Sequence, residues 1–318
     1  MSVIEITDAQ SGSTAAIAVD AGFNCFQFVP RAGDLELSVI HSPEEFEDGT
    51  KTASLYGIPV LFPFPNRIRG GRYTWDGRSW ELPEQLVSYD RSGNAIHGFC
   101  LDRPWRILVQ TDSSVTGIFQ LSQDAEDRRS LWPADAELTV CYSIQGTTLR
   151  AEFTVRNPDK VPLPWGLGTH PYFRLPLSDE ESTDHCTVFA PTHRIWQLKS
   201  WLPTGRIIDA PEGETLDQSP KFNSIRLDGV YTDLKASGNA IESRVTDMRS
   251  GWSVVQRSSV DFRELVAFTP PWTTAVCLEP YTCTTDAINL QSDEVDTGLK
   301  VLPPGESWTG WNEIEARR

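Results

Sequence analysis

Five short stretches carry side chains able to do chemistry. They are "PNRIRGG" with Arg67, "NAIHGF" with His97, "GTHPYF" with His170, "LDGVYTDL" with Asp228, and "CLEPYT" with Glu279. Glu279 follows the apolar run Ala275, Val276, Cys277 and Leu278, which reads as the end of a buried strand. A carboxylate there is either solvated in a loop or held by partners, and a held, half-buried carboxylate suits a general base. His170 lies before Pro171 and beside Tyr172 and Phe173. It reads either as a structural histidine or as a proton donor that titrates near neutral pH. His97 is flanked by Gly93 and Gly98, which allow close backbone approach or serve turn chemistry alone. Arg67 and Arg69 read as ligand contacts or solvated charges, and Asp228 as a hydroxyl contact or an Asp-Gly turn residue.

The aromatic inventory points towards a sugar. The chain has 11 Trp, 7 Tyr and 14 Phe, several of them in the proline-rich stretches: Phe62, Phe64, Trp165, Tyr172 and Trp272. Flat apolar rings beside Arg, Asp, His and Asn suit a ligand with a C–H face and a rim of hydroxyls, unless those rings belong to the core. Other chemistries lack their signatures. The sequence contains no HExxH, CxxC, calcium-type loop, GxGxxG, P-loop or GxSxG, so neither a metal nor a nucleotide cofactor is expected. His185 and His193 are spaced poorly for ligation.

The elements that must position these residues are strands. In "ELTVCYSIQGTTLRAEFTVRNP", Leu138, Val140, Tyr142 and Ile144 alternate with their neighbours, and Leu149, Ala151, Phe153 and Val155 do so after a turn. That predicts a hairpin with one buried face. "GRYTWDGRSWELP" predicts another around Asp76-Gly77, and "ESRVTDMRSGWSVVQRSS" a third around Ser250-Gly251. Helix signals are few. Ser42 as N-cap with Pro43 at the first position predicts a short helix in "HSPEEFEDG", and "SQDAEDRRSLW" a turn or two more. With no linker or repeat, residues 1–318 are expected to form a single all-β domain, a large antiparallel β-sandwich with long loops.

The bulk numbers bound the partners. A net charge of −16 argues against nucleic acid and against an anionic membrane surface. The six cysteines are irregularly spaced and expected to be reduced, which suits the cytoplasm. "MSVIEITDAQ" has neither the basic region nor the apolar core of a signal peptide, and no apolar run is long enough to span a bilayer. A small neutral molecule is therefore the expected partner, and oligomeric state is left open.

Taken in order, the five stretches resemble the motifs of the aldose 1-epimerase (galactose mutarotase) family, and "LPPGESWTGW" resembles that family's ending. The resemblance runs from about Gly57 to Trp311. It implies the family's large β-sandwich (a supersandwich) and exchange of the α and β anomers of a free aldose by acid–base catalysis. It further implies Glu279 as base, His170 as acid, Arg67 and His97 as sugar-binding residues, and Asp228, ahead of Asp233, as a hydroxyl contact. Neither metal nor cofactor is implied. Two departures from the family pattern are Arg69, where a small residue is common, and "EPYTCTTDAIN" after the glutamate. Four alternatives stay open: a carbohydrate-binding or regulatory protein on the same fold, a sugar-phosphate mutarotase, a glycoside hydrolase (with Asp228 as a second carboxylate) or lyase, and an epimerase-like sandwich acting on another sugar derivative.

Overall fold

The computed structural model describes residues 1–33, 35–178 and 182–318. Two eight-stranded sheets dominate it. In the first, the spatial order is Arg106–Gln110, Ser114–Gln120, Glu137–Gln145, Thr148–Arg156, Ser307–Arg317, Ser253–Ser259, Ala240–Asp247 and Cys186–Phe189. In the second it is Leu202–Asp209, Arg194–Lys199, Asp228–Thr232, Glu264–Phe268, Ala275–Tyr281, Gly168–Thr169 and Val60–Leu61, with Tyr172–Arg174 also paired to Ala275–Tyr281. The ladders within both sheets are antiparallel. A smaller sheet joins Val3–Thr7, Thr14–Ala18 and Asn24–Val29.

Period-two patterning made these strands. The Glu137–Gln145 and Thr148–Arg156 pair buries the alternating residues expected of it, with Val140 opposite Phe153 and Tyr142 opposite Ala151. The hairpins at Arg72–Trp75/Arg78–Glu81 and Ala240–Asp247/Ser253–Ser259 also form as patterned. One continuous apolar core reaches from Ile6 to Ala316 and takes in residues of both sheets, such as Phe153 and Leu278. The sheets bury one face each against it, the arrangement of a β-sandwich.

Two expectations are corrected, for the helix and for the strand at Glu279, and the two-way readings of Asp228 and of the rings narrow. Glu44–Asp48 is a 3-10 turn preceded by Pro43, without a side-chain cap, and the Ser42 hydroxyl bonds the Pro43 carbonyl instead. Glu279 does not follow a strand but lies within one, because Ala275–Tyr281 runs on through Pro280 and is buried along its length. Asp228 begins a strand, Asp228–Thr232, rather than sitting in a turn. Phe62, Phe64 and Trp165 are core residues, leaving Tyr172 and Trp272 as the rings of that group that line the cavity beside His170 and Glu279. All six cysteines are free thiols and all but Cys141 are buried. Among the described residues, no helix is long and apolar enough to cross a membrane.

Candidate active site

The centre of the second sheet holds the site. His170 sits between the short strands Gly168–Thr169 and Tyr172–Arg174, both paired to Ala275–Tyr281. Its backbone N–H donates to the Pro59 carbonyl at 3.0 Å, and that of Tyr172 to the Gly57 carbonyl at 3.0 Å. These bonds tie "GTHPYF" to "GIPVLFP". Tyr172 stacks on the imidazole with centroids 4.6 Å apart and planes 6° from parallel. The tyrosine's own hydroxyl bonds the Ser54 carbonyl at 2.9 Å. The ring is thereby fixed with Nε2 3.3 Å from Oε1 of Glu279.

Glu279 is 1% exposed and His170 6%. Tyr281, two residues on and therefore on the same strand face, donates its hydroxyl to Glu279 Oε2 at 2.5 Å. Each carboxylate oxygen thus has its own partner. Burial pushes the Glu279 carboxyl well above the usual carboxylate range, with the Tyr281 hydrogen bond opposing it. Burial also lowers the His170 imidazole to about 3. The simple expectation from contact, a lowered Glu and a raised His, is reversed, because loss of water outweighs the attraction. Both groups favour their neutral forms, and the pair carries one proton.

Above this pair opens a cavity of about 330 Å³ lined by Arg67, His97, Asp228, Phe268 and Trp272, together with the pair itself. All five residues singled out in the sequence therefore meet in one place. Arg67 comes from Arg67–Ile68, which pairs with Ala95–Ile96. The next N–H, that of His97, donates to the Asn66 carbonyl at 2.8 Å. Gly98 follows at φ 75°, where a Cβ would meet the Phe62 carbonyl oxygen at 2.2 Å, so the "IHG" glycine is required. His97 stands edge-on to His170 at 5.7 Å. Its imidazole is driven to the neutral form by burial, and its Nδ1 has no partner among the described residues.

Arg67 donates Nε to Asp90 at 2.6 Å and Nη1 to Asn66 at 2.9 Å. Asp228 accepts from the Trp201 indole at 2.9 Å. Asp233, the poorer match, lies outside the cavity lining and near Arg194. Arg69 lies outside the cavity lining and binds Asp286 through its backbone N–H at 3.0 Å and Nε at 3.2 Å.

The sequence reading missed Tyr281, Asp90 and Asn66. Tyr281 reads as an ordinary core ring at the end of a buried strand, and Asp90 is 23 residues from Arg67. Donor atoms of His170, Cys277 and Glu279 also lie within 4.8 Å of one another, a set that could hold a metal ion. Burial raises the Cys277 thiol far above its ordinary value, so it offers a thiol rather than a thiolate.

The site is thus a buried carboxylate–imidazole pair beneath a polar, ring-lined cavity on a β-sandwich. The chain belongs to the aldose 1-epimerase family, whose model matches residues 10–315. It is similar to a galactose mutarotase-like protein of Clostridium acetobutylicum, with a TM-score of 0.85 and 22% identity over 100% of this chain and 99% of that one. A putative aldose 1-epimerase from Escherichia coli K12 superimposes with a TM-score of 0.77 and 19% identity, over 99% of each chain. In sequence, the galactose mutarotase of Rattus norvegicus is 26% identical over 153 residues, 48% of this chain and 42% of that protein.

Proposed function

We propose that the chain interconverts the α and β anomers of a free, unphosphorylated aldose, with Glu279 and His170 exchanging the protons. The observation that carries this reading is the Glu279–His170 contact of 3.3 Å beneath the cavity. Mutarotation needs a proton removed from the C1 hydroxyl and another delivered to the ring oxygen O5. Both oxygens are bonded to C1, so two groups side by side reach them from one edge of the ring.

With the shared proton on His170, Glu279 accepts the O1 proton while His170 donates to O5, and the C1–O5 bond breaks. The open-chain aldehyde then faces a pair whose proton has moved to Glu279, the distribution that burial favours. Rotation about C1–C2 presents the other carbonyl face. Closure reverses both transfers, and the pair regains its starting state. Arg67 and His97 hold the hydroxyls of the reacting ring so that C1 stays in line, and Asp228 accepts from a hydroxyl nearer the cavity mouth.

The charges in the cavity support an unphosphorylated sugar. Asp90 matches Arg67, and Asp228 adds a further carboxylate. A phosphate would find no surplus positive charge among the described lining residues.

Polarimetry with freshly dissolved aldoses tests the reading. Glu279→Gln should keep the fold and slow anomer exchange by roughly 10²–10⁴-fold, the usual contribution of one acid–base group. His170→Asn should do the same, whereas Arg67→Ala and His97→Asn should mainly raise KM. Near-normal exchange by a folded Glu279→Gln protein would remove the assignment, and so would activity abolished by EDTA and restored by a divalent ion.

A further inference from the structure

Two exposed tryptophans are unexplained by the chemistry of the pair: Trp272 in the cavity lining, and Trp201 bonded to the lining residue Asp228. Trp272 is 46% exposed and Trp201 47%. Water-exposed indoles forfeit a large burial gain, so each calls for a reason. Trp272 follows Pro270 and Pro271, which stiffen its backbone. It packs on Phe268 at 5.8 Å, and Phe268 in turn stands edge-on to His170 at 6.4 Å. A line of rings therefore runs from the acid–base pair to the rim.

Trp201 is the stranger of the two. Lys199 pairs with Leu202, leaving Ser200 and Trp201 as a two-residue hairpin turn with φ of 52° and 62°. Such a turn favours Asn and Gly, and a bulky ring with positive φ is an outlier. The turn thus accepts an unfavourable residue and leaves its ring half in water. What Trp201 gains is a bond from its indole N–H to Asp228 Oδ2 at 2.9 Å. Asp228 Oδ1 accepts no hydrogen bond among the described residues. Asp228 is also the cross-strand partner of Phe268. The two indoles accordingly flank the Asp228–Phe268 pair, with one carboxylate oxygen left for a ligand.

We propose that Trp201, Asp228 and Trp272 form a second saccharide subsite, so that the substrate is the reducing-end unit of a di- or oligosaccharide. This rests on the anomer-exchange reading. The C1–O5 edge must meet Glu279 and His170 at the buried end, so the opposite C3–C4 edge points to the mouth. A glycosyl group linked there meets the indoles, which stack on its C–H face, while Asp228 Oδ1 accepts from a hydroxyl.

Polarimetry on freshly dissolved D-glucose, maltose, lactose and cellobiose tests the subsite, since all four present glucose at the anomeric end. Wild-type kcat/KM should be at least about tenfold higher for one or more of the disaccharides. Trp201→Ala and Trp272→Ala should each cut the disaccharide-to-glucose ratio by about three- to tenfold. A second arm reads binding without turnover, by calorimetry with 1,5-anhydro-D-glucitol and 1,5-anhydromaltitol, which lack O1 and cannot open. The maltose analogue should bind more tightly, and the two variants should lose that difference. If no sugar is mutarotated but the binding difference holds and is lost in the variants, the activity assignment fails and the subsite stands. If wild type favours no disaccharide in either arm, or both variants leave the ratios unchanged, the subsite is overturned.

Discussion

Glu279 is asked to be a carboxylate in a place that resists charge. Burial raises its carboxyl well above the usual range, and the Tyr281 hydroxyl is the first influence acting the other way. Tyr281→Phe removes that donor while keeping the ring. A hydrogen bond to a charged group contributes about 1.5–3 kcal/mol, so kcat should fall by roughly 10–100-fold with KM little changed. The pH profile is the sharper readout. The pair is active with one proton, so kcat/KM should fall on the acid side towards about 3, where His170 takes a second proton. It should fall on the alkaline side above the usual carboxylate range, where the last proton leaves Glu279. His170 itself contributes no limb near the ordinary imidazole value. In Tyr281→Phe the alkaline limb should move to higher pH, because an influence that lowers the Glu279 value is gone. An unmoved limb with an unchanged kcat would make Tyr281 a packing residue only. The motif stretches exposed Glu279 and His170 to sequence reading, but Tyr281 stayed hidden because nothing local separates a buried hydroxyl with a partner from an ordinary core ring.

Among the elements, the Ala275–Tyr281 strand and the segment from Trp165 to Arg174 make the site together, and glycine sets their spacing. Gly168 lies directly across from Tyr281 in the ladder. A Cβ on Gly168 would fall 2.3 Å from Tyr281 Cδ1 and 2.9 Å from Pro65 Cβ. Its φ is not positive, so close approach alone demands glycine here. Gly168→Ala should therefore destabilise by about 1–3 kcal/mol, the usual cost of overpacking, and should displace the Tyr281 ring from Glu279. Thermal unfolding and kcat measure the two effects. The loss should shrink in a Tyr281→Ala background, whereas additive losses would show that the two residues do not meet. Hairpins such as Glu137–Gln145 with Thr148–Arg156 were legible because register follows from adjacent alternation. The pairing of Thr148–Arg156 with Ser307–Arg317 was not, since nothing local marks a partner about 150 residues away. The same limit hid the continuation of the Glu279 strand through Pro280, where tertiary pairing overrides proline's poor strand preference.

Across the whole molecule, the acidic balance read from composition describes the surface, whereas the core holds carboxyls that resist ionisation. Glu264 is fully buried and accepts from the Trp196 indole at 2.9 Å and the Thr232 hydroxyl at 3.1 Å. Burial raises its carboxyl from 4.5 to about 8, against the lowering influence of Trp196 and Arg263. A group whose folded value is raised stabilises the fold relative to its ionised state below the unfolded value, and that contribution is lost as pH rises towards the folded value. The lost stability accrues at about 1.4 kcal/mol per pH unit while the folded state keeps the proton that the unfolded state has released. Below about 6.5 the trend is masked, because His41, His97 and His170 are lowered and contribute with the opposite sign. Above that pH the unfolded imidazoles lose their remaining charge within about one unit, and the buried carboxyls come to decide the slope. Urea unfolding should therefore show wild-type stability falling between pH 6.5 and pH 8. Glu264→Gln keeps an amide oxygen for Trp196 and has no proton to lose, so it should gain on wild type by roughly 1 kcal/mol per pH unit across that window. Glu279, raised in the same direction, remains in both proteins and leaves a residual slope. Parallel stability curves for the two proteins would mean that Glu264 is already ionised in the folded state at pH 6.5.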